Sequence, residues 1–411
     1  MANITSVSPL ACPLPSFIPV KGVRLGASAA QIKYMDRPDL MMMVFDKGTS
    51  VAGVFTKSRC PGAPIDWCKA CLSLGNARAL VVNSGNANVF TGRAGAQATQ
   101  VTAAHAARLI SCASSEVFLA STGVIGEILP TQKITDALPD LFNSLKPDGW
   151  EDAARAIMTT DTFPKAVSKQ VKIGETTVTI QGIAKGSGMV APDMATMLAF
   201  ITTDARIGHD ALQTLVSSTV ETSFNSITVD SDTSTSDMVL AFATGAAAND
   251  KVRDVNDPSF ADFRRAFADT MQELAIMIVK DGEGLSKLIQ IDVSGGVDSH
   301  SARRIGLAVA NSPLVKTAIS GEDANWGRIV MAVGKSGEPA NRDTLSVGIG
   351  GHWIARNGML LADYEEAPIQ KHLHERHVTI QIDLGLGNGA ARIWGCDLTH
   401  GYVDINGSYR S

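Results

Sequence analysis

The sequence predicts an α+β or layered α/β fold, in which β-sheets are covered by helices. Strand-like and helix-like segments alternate along its 411 residues, and no fixed-period repeat or Pro/Ser-rich linker divides them. Hydrophobic residues make up 45% of the chain and charged residues 19%, which is typical of a globular protein with a large core. The length corresponds to about two to three domain-sized units.

The first half of the chain contains three strand patterns and a helix pattern. Residues 77–85 predict a short strand that enters a turn, and the Ala-rich residues 94–112 predict a helix. Residues 167–173 and 176–184 flank Gly174 and predict a β-hairpin. Just before the midpoint of the chain, the apolar run MLAFIT (197–202) predicts a buried strand.

The clearest predicted helix begins at Asp257. Aspartate is a common N-cap, and Pro258 is tolerated at the first helical position. Gly282, in the segment KDGEG, can end this helix. Between these limits, apolar residues recur at spacings of three and four, as on the buried face of a helix: Phe260, Phe263, Phe267, Met271, Leu274 and Ile278.

The C-terminal region predicts a further pair of strands. Residues 378–384 alternate between apolar and polar side chains, as a half-buried strand does. Asn388 and Gly389 then form a turn signal, followed by a return strand at 391–398. The pattern therefore predicts that these two strands return on each other after a turn.

Charge and hydropathy exclude several classes of protein. The net charge is −5, and no basic stripe is visible, which argues against a nucleic-acid partner. The N-terminal stretch has no basic residue before Lys21 and is interrupted by prolines, so it does not resemble a secretion signal. No apolar run reaches the ~18 residues of a membrane helix. We therefore expect a cytoplasmic protein without a membrane partner.

Four sequence features could suggest metal or nucleotide binding, and we expect none of them to indicate such a site. A zinc site needs more ligands than a single CxxC at Cys68 and Cys71, and a chain this long with six cysteines does not suggest a disulfide framework. GRAG (92–95) lacks the pattern of a P-loop. The cluster of His372, His374 and His377 favours a charged surface turn. The cluster of Asp230, Asp232 and Asp237 favours a polar turn that supports a site.

Thr196 stands between a Gly/Pro-rich loop and the MLAFIT strand. Taken alone it is an ordinary strand residue, since β-branched side chains suit strands. The loop upstream contains Lys185, Gly186 and Gly188, and such a loop can hold the Ala195–Thr196 peptide in an unusual geometry. The hydroxyl could then attack the preceding carbonyl, and hydrolysis of the ester would leave an N-terminal threonine. Its Oγ would be a nucleophile, with its own α-amine as the base.

The motifs around this threonine resemble those of the ornithine acetyltransferase family, whose members exchange acetyl between N-acetylornithine and glutamate in arginine biosynthesis. The resemblance covers the chain from about residue 20 to 411 and follows the family's order. It rests on KGSGMVAPDMATMLAFITTDA (185–205), NSGNAN (83–88), STGVIG (121–126), MTTDTFPK (158–165), SFNSITVDSDTSTSD (223–237), KDGEG (280–284), EDANWGR (322–328) and VDINGSY (403–409).

The resemblance implies a fold, a maturation step and a reaction. It implies an N-terminal-nucleophile-like sandwich of β-sheets between helices, with a smaller C-terminal α/β part. Cleavage between Ala195 and Thr196 would give an α chain of residues 1–195 and a β chain of residues 196–411, usually assembled as two α and two β chains. Acetyl would pass through an acetyl-Thr196 ester in a ping-pong mechanism. No metal or bound cofactor is implied, and acetyl-CoA is a second donor in some members.

The family's site residues transfer to positions in this chain. Thr122 and Gly123 match the oxyanion hole. Lys185 is suited to a substrate carboxylate and Glu283 to a substrate ammonium group. The C-terminal Ser411 stands where many members have threonine, and Asp193 stands where many have asparagine. The substrate contacts implied are Thr162, Lys185, Thr196, Glu283, Asn406 and Ser411.

Two other functions stay open at this level. The same nucleophile and oxyanion hole could serve an aminopeptidase or amide hydrolase with water as the acceptor. A non-enzymatic binding protein with an inert Thr196 is the third interpretation. Transfer to glutamate, release of free acetate and the size of the chain on a denaturing gel distinguish the three.

Overall fold

The computed structural model describes residues 6–191 and 197–407, which form two β-sheets with helices packed against them. The first sheet contains β1 (Val23–Ser28), β2 (Leu40–Phe55), β3 (Asn76–Asn86), β4 (Val117–Val124), β5 (Lys165–Ile173), β6 (Thr176–Lys185), β7 (Leu198–Thr203) and β8 (Met238–Ala243). The second contains β9 (Leu288–Gly296), β10 (Ser346–Ile349), β11 (His352–Arg356), β12 (Met359–Leu360), β13 (His377–Asp383) and β14 (Gly389–Cys396).

The first sheet mixes strands from both halves of the chain. Its order is β4-β3-β2-β8-β7-β6-β5, with β1 paired to β2. The predicted hairpin around Gly174 is confirmed, because β5 and β6 pair in antiparallel register from Lys165↔Ala184 to Ile173↔Thr176. Strands β7 and β8 are parallel to each other and lie between β2 and β6. Three of the residues described below, Thr122, Gly123 and Lys185, lie at the ends of β4 and β6.

The MLAFIT segment is buried on both faces of this sheet, as its continuous apolar run predicts. Successive side chains of a strand point to opposite faces. Accordingly, Leu198 and Phe200 join one hydrophobic core, while Ala199 and Ile201 join the other. All six residues of β7 are buried, so the start of this strand is a fixed point next to residue 196.

The helices cover the faces of the sheets. Around the first sheet lie α1 (Ala63–Leu72), α2 (Gly92–Ile110), α3 (Thr131–Ser144), α4 (Trp150–Ala156), α5 (His209–Thr219) and α6 (Ala261–Lys280). Residues of α1 and α4 enter the core on one face, and residues of α5 and α6 enter a core on the other. The remaining helices are α7 (Ser299–Ala310), α8 (Pro313–Ser320), α9 (Trp326–Gly334), α10 (Ala367–Leu373) and α11 (His400–Asn406).

The long helix predicted after Asp257 is confirmed. Asp257 accepts a hydrogen bond from the backbone N–H of Ser259 and caps a short 3-10 turn, Pro258–Phe260, from which α6 continues. The predicted apolar stripe is buried in the core beside the first sheet, which also includes Leu288 and Cys396 of the second sheet. This helix therefore joins the two sheets through one core.

The pairing of the last two strands differs from the prediction. Both strands form, but β9 lies between them, parallel to β13 and antiparallel to β14. The turn signal at Asn388 and Gly389 therefore leads to a strand on the far side of β9. The sheet order is β12-β11-β10-β13-β9-β14, and residues of α7 to α10 pack in its core.

The layered α/β class is confirmed, with sheets between helices and a smaller C-terminal α/β part. Within the two described ranges, no helix is long and apolar enough to cross a membrane. Ala195, Thr196 and Ser411, together with Pro192 and Asp193, lie outside the described residues.

Candidate active site

A cavity of about 530 Å³ lies where β4 and β6 end. Its volume is in the range of small-molecule sites. The structure brings together at this cavity five of the residues that the sequence nominated: Thr122, Gly123, Lys185, Glu283 and Asn406. These residues are spread over almost 300 positions of the chain, so their convergence depends on the tertiary fold.

Gly123 fits its position because the two strands β3 and β4 approach closely there. Its φ of +133° is rare for residues with side chains, and a Cβ atom would lie 2.3 Å from the carbonyl carbon of Gly85. Only glycine meets both requirements. Thr122, its neighbour in β4, accepts a hydrogen bond from Lys185 Nζ at 3.0 Å. The predicted oxyanion-hole pair is thus held by β3 on one side and by a cation on the other.

Lys185 is the last residue of β6, and its side chain is buried. Burial lowers the pKa of Lys185, and the positive charge of Lys165 acts in the same direction, while the carboxylate of Asp161 opposes them. A buried ammonium group is costly unless anions or hydrogen-bond acceptors surround it. Lys185 is therefore well placed to stabilise an anionic group of a ligand in this cavity.

Glu283 supplies a negative charge to the same cavity. Asn406 Nδ2 donates to Glu283 Oε2 at 2.7 Å, and the Glu283 backbone N–H donates to the carbonyl of Ser187 at 2.9 Å. Burial raises the pKa of Glu283, and hydrogen bonds from Asn406 and Thr160 oppose this shift. A Cβ atom at Gly188 would lie 2.4 Å from the Glu283 carboxyl carbon, so the loop and this carboxylate are in direct contact.

Thr162 lies apart from the cavity lining. Its backbone N–H and its hydroxyl both donate to Asp281, and its hydroxyl accepts from the backbone N–H of Ser8. Thr159 and Thr160, from the same motif, line the cavity instead. A substrate contact by Thr162 stays a prediction. The sequence motif did not indicate that Thr159 and Thr160 line the cavity.

A buried ion network lies behind the loop that follows β6. Lys165 Nζ is 2.6 Å from Asp161 Oδ1 and 2.6 Å from Asp281 Oδ2, and none of these side chains is exposed. Asp161 also accepts the backbone N–H of Gly186 at 2.7 Å. Burial alone would raise the pKa of Asp161, but the charges of Lys165 and Lys185 hold it well below its usual range. The network therefore fixes the backbone next to Lys185.

The polar turn that precedes β8 also contributes to the cavity. Ser234, Thr235 and Ser236 line it, in the segment that the sequence predicted to support the site. Among the described residues, no group of three or more His, Cys, Asp or Glu side chains is arranged to hold a metal ion. His372 Nε2 accepts the backbone N–H of Thr379, and Cys68 donates to the carbonyl of Leu119 in the core.

Comparison with known proteins gives one consistent family. The model of the ArgJ family matches residues 24–411. The arginine biosynthesis bifunctional protein ArgJ of Gluconobacter oxydans is 61% identical over 411 residues, which is 100% of this chain and 97% of that protein. The same-named protein of Agrobacterium fabrum is 53% identical over 410 residues, or 99% of each chain.

A solved relative covers part of the chain. The crystal structure of the arginine biosynthesis bifunctional protein ArgJ from Bacillus halodurans is 41% identical, with a TM-score of 0.49. The match covers 51% of this chain and 98% of that one.

Proposed function

The chain belongs to the ArgJ family, and from this premise we propose that it transfers acetyl from N-acetylornithine to glutamate through Thr196. It is an acetyltransferase of arginine biosynthesis, a glutamate N-acetyltransferase and amino-acid N-acetyltransferase like its bifunctional relatives. The observation that best supports the proposed chemistry is the cavity that contains Thr122, Gly123, Lys185 and Glu283. Oxyanion donors and two opposite charges in one small cavity suit an acetylated amino acid.

Maturation is proposed to begin at the Ala195–Thr196 bond. The Thr196 hydroxyl attacks the carbonyl carbon of Ala195, and the amide nitrogen of Thr196 leaves as an amine, so that an ester replaces the amide. One water molecule then hydrolyses the ester. The products are chain 1–195, which ends in a carboxylate, and chain 196–411, which begins with a free amine on Thr196.

The transfer reaction then uses the same hydroxyl. Thr196 Oγ attacks the acetyl carbonyl of N-acetylornithine while the α-amine takes its proton. Ornithine leaves with a proton on its nitrogen, and acetyl-Thr196 remains. The amine of glutamate attacks this ester, and N-acetylglutamate is released. Thr122 and Gly123 are proposed to stabilise the oxyanion that forms in both steps.

Recognition of the substrates is proposed to depend on charge. Ornithine and glutamate each carry an α-carboxylate, for which Lys185 is a partner, and ornithine carries a side-chain ammonium group, for which Glu283 is a partner. The bond from Asn406 to Glu283 keeps that carboxylate oriented. Thr162 and Ser411 are retained as proposed substrate contacts on the family pattern.

The remaining parts of the proposal concern donors and assembly. The nucleophile, the base and the oxyanion donors are all protein groups, so the mechanism needs no bound cofactor or metal. Acetyl-CoA is proposed as the second donor, in keeping with the bifunctional relatives. The processed chains are proposed to assemble as two α and two β chains in the cytoplasm.

Two substitutions at Thr196 test the proposal. Thr196→Ala should give a single chain of full length on a denaturing gel and no detectable N-acetylglutamate from N-acetylornithine and glutamate. Thr196→Ser should give two chains and reduced transfer, because the hydroxyl is retained but the rotamer restriction of threonine is lost. Intact-mass analysis of the wild-type protein should show a chain that begins TMLAF.

The outcomes separate the alternatives. If the Thr196→Ala variant is still cleaved, Thr196 is not the attacking group. Free acetate in place of N-acetylglutamate from cleaved wild-type protein would indicate a hydrolase. An uncleaved wild-type chain with full transfer activity would exclude the proposed mechanism.

A further inference from the structure

The two amino acids of the proposed exchange carry opposite charges at the same distance from their reacting nitrogen. Both react at the α-nitrogen, and both have an α-carboxylate for which Lys185 is a partner. The ammonium nitrogen of ornithine and the side-chain carboxylate oxygens of glutamate are each the fourth atom beyond Cα. One region of the cavity must therefore accept a cation in one half-reaction and an anion in the other.

Glu283 faces this requirement, because it is the only acid among the described residues that line the cavity. Its side chain is 8% exposed and is held from several sides. Asn406 Nδ2 donates to Oε2 at 2.7 Å, the Thr160 hydroxyl also donates to the carboxylate, and the Glu283 backbone N–H donates to the carbonyl of Ser187 at 2.9 Å. A Cβ atom at Gly188 would lie 2.4 Å from the carboxyl carbon. The carboxyl group therefore has little room to turn away from an incoming anion.

The hydroxyl group of Thr160 is itself held in place. Thr160 Oγ1 lies 2.7 Å from Ser187 Oγ, and either hydroxyl can be the donor of this hydrogen bond. Because Thr160 donates to Glu283, its oxygen is free to accept from Ser187. A protonated carboxyl group keeps lone pairs on both oxygens, so Thr160 and Asn406 can hold Glu283 in either charge state.

The groups around Glu283 favour neither charge state strongly. Burial raises the pKa of Glu283, and the charge of Asp230 acts in the same direction, while the hydrogen bonds to the carboxylate and the charge of Lys185 lower it. Tyr402 of α11 donates to Asp230 Oδ2 at 3.3 Å. Burial and the charges of Asp230 and Glu283 raise the pKa of Tyr402, so this hydroxyl stays neutral. Since the net shift of Glu283 is upward, a proton is taken up more easily than by an exposed glutamate.

We propose that Glu283 changes its charge with the substrate: it binds the side-chain ammonium of ornithine as a carboxylate, and it takes up one proton to bind the side-chain carboxylate of glutamate. This inference rests on the function proposed above. The proton comes from the solvent, and the neutral carboxyl group donates it in a hydrogen bond to glutamate. Two carboxylates in contact repel each other, so the pair retains one proton between them. The proton returns to the solvent when N-acetylglutamate leaves.

Glu283→Gln tests the inference because it fixes the neutral state. The amide oxygen can still accept from Asn406, and the NH₂ group can donate to the carboxylate of glutamate. In a ping-pong mechanism, kcat/KM for each substrate reports its own half-reaction. At about pH 8, kcat/KM for N-acetylornithine should fall about tenfold to hundredfold, since a hydrogen bond between charged groups is lost. The value for glutamate should not fall.

The pH dependence gives the sharper comparison. Dividing the wild-type kcat/KM by that of Glu283→Gln at each pH removes the titration of amines that both proteins share. The ratio for N-acetylornithine should rise with pH through the pKa of Glu283, because the ionised form binds the ammonium group. The ratio for glutamate should fall through the same pKa, because the protonated form binds the carboxylate.

Calorimetry on the cleaved wild-type protein gives a measurement that needs no variant. Without an acetyl donor, ornithine and glutamate can bind but not react. Each is titrated at about pH 8 in two buffers that differ in ionisation enthalpy, so that the number of protons exchanged can be obtained. Glutamate should take up about one proton more than ornithine, because the α-amino and α-carboxyl groups are common to both ligands.

Glu175→Gln is the matched control for the kinetic experiment. Glu175 follows β5 in the hairpin turn, and its side chain is 99% exposed. The substitution removes the same charge from the same protein without touching the cavity. Both kcat/KM values and both pH profiles should equal those of the wild-type protein.

The possible failures are distinguishable. If the wild-type protein forms no N-acetylglutamate from N-acetylornithine and glutamate, the proposed function fails and this inference fails with it. If the wild-type protein transfers acetyl but the two ratios change with pH in the same direction, only the charge change of Glu283 is overturned. Equal proton uptake by glutamate and ornithine overturns it as well. If Glu283→Gln does not mature, the calorimetry on the wild-type protein decides.

Discussion

Lys165 shows how a single residue can stabilise the site without entering it. Its ammonium group lies between the buried carboxylates of Asp161 and Asp281, and these carboxylates bind the backbone of Gly186 and Thr162. Burial would lower the pKa of Lys165, but the two carboxylates outweigh it and raise that pKa. Lys165 therefore stays protonated and neutralises the two carboxylates that bind the backbone of Gly186 and Thr162.

Lys165→Met should destabilise the protein by about 3–5 kcal/mol at neutral pH, because it leaves buried carboxylates without a counter-charge. Lys165 lowers the pKa of Asp161, so the wild-type protein loses this stabilisation only as pH falls through that lowered value. In the variant the carboxyls should protonate at higher pH, so the loss of stability should shrink on acidification. Urea unfolding at several pH values measures both effects.

Lys169→Met is the control for this experiment. Lys169 lies 2.8 Å from Glu273, but its side chain is 22% exposed and that of Glu273 49%. A pair this accessible contributes at most about 1 kcal/mol. Equal losses for the two variants would contradict the buried-charge argument.

The sequence identified the charged residues of the cavity but not every neighbour. Lys185 and Glu283 could be nominated because their motifs resemble those of a known family. The motif could not show which of Thr159, Thr160 and Thr162 lines the cavity. That depends on which side of a buried ion network each hydroxyl lies. Asp237 was visible as part of an acidic turn, yet its contact with Met197 requires the pairing of β7 with β8.

Among the elements, the ends of β3 and β4 set the position of the proposed oxyanion hole. These strands are parallel, and their register shifts at Gly85 and Asn86, opposite Gly123. The shift brings the Gly123 backbone so close to β3 that no side chain fits there. The geometry of the hole is therefore a property of two paired strand ends.

Gly123→Ala should lower kcat for acetyl transfer by about 10²–10³-fold, the range seen when one oxyanion donor is lost. The added Cβ would lie 2.3 Å from the carbonyl carbon of Gly85, so β4 must shift. Gly126→Ala is the control, since Gly126 also has positive φ, at 86°, but open space around its Cβ position. It should transfer acetyl normally. Steady-state kinetics with cleaved preparations of both variants makes the comparison.

Strand pairing also shows where sequence patterns stop being informative. The alternation of residues 378–384 and the apolar stripe of α6 predicted each element correctly. Besides β10, β13 pairs with β9, whose paired residues lie 89 positions earlier (His377↔Leu288) and run in parallel. Local turn chemistry favours pairing between neighbouring strands, whereas a parallel pair needs a long crossover connection. Here that crossover contains α7 to α10, whose residues pack in the core of this sheet.

On the scale of the whole molecule, the first sheet interleaves the two halves of the chain. Strands β7 and β8 belong to residues 196–411, while both of their outer neighbours, β2 and β6, belong to residues 1–195. Hydrogen bonds from Ser50↔Ala243 to Phe55↔Met238, and from Ile180↔Thr203 to Lys185↔Leu198, cross the boundary between the halves. The proposed cleavage between Ala195 and Thr196 removes none of these strand pairs.

The two chains of the processed protein should therefore stay together as one folded unit. They should elute together in native size-exclusion chromatography, also at 1 M salt, because backbone hydrogen bonds and buried apolar surface, unlike exposed ion pairs, are not screened. Uncleaved Thr196→Ala is the control, and its melting temperature should lie within about 5 °C of the cleaved protein's, since the packing is the same. Both should unfold in a single transition. Elution of two separately folded halves without denaturant would contradict the interleaved sheet.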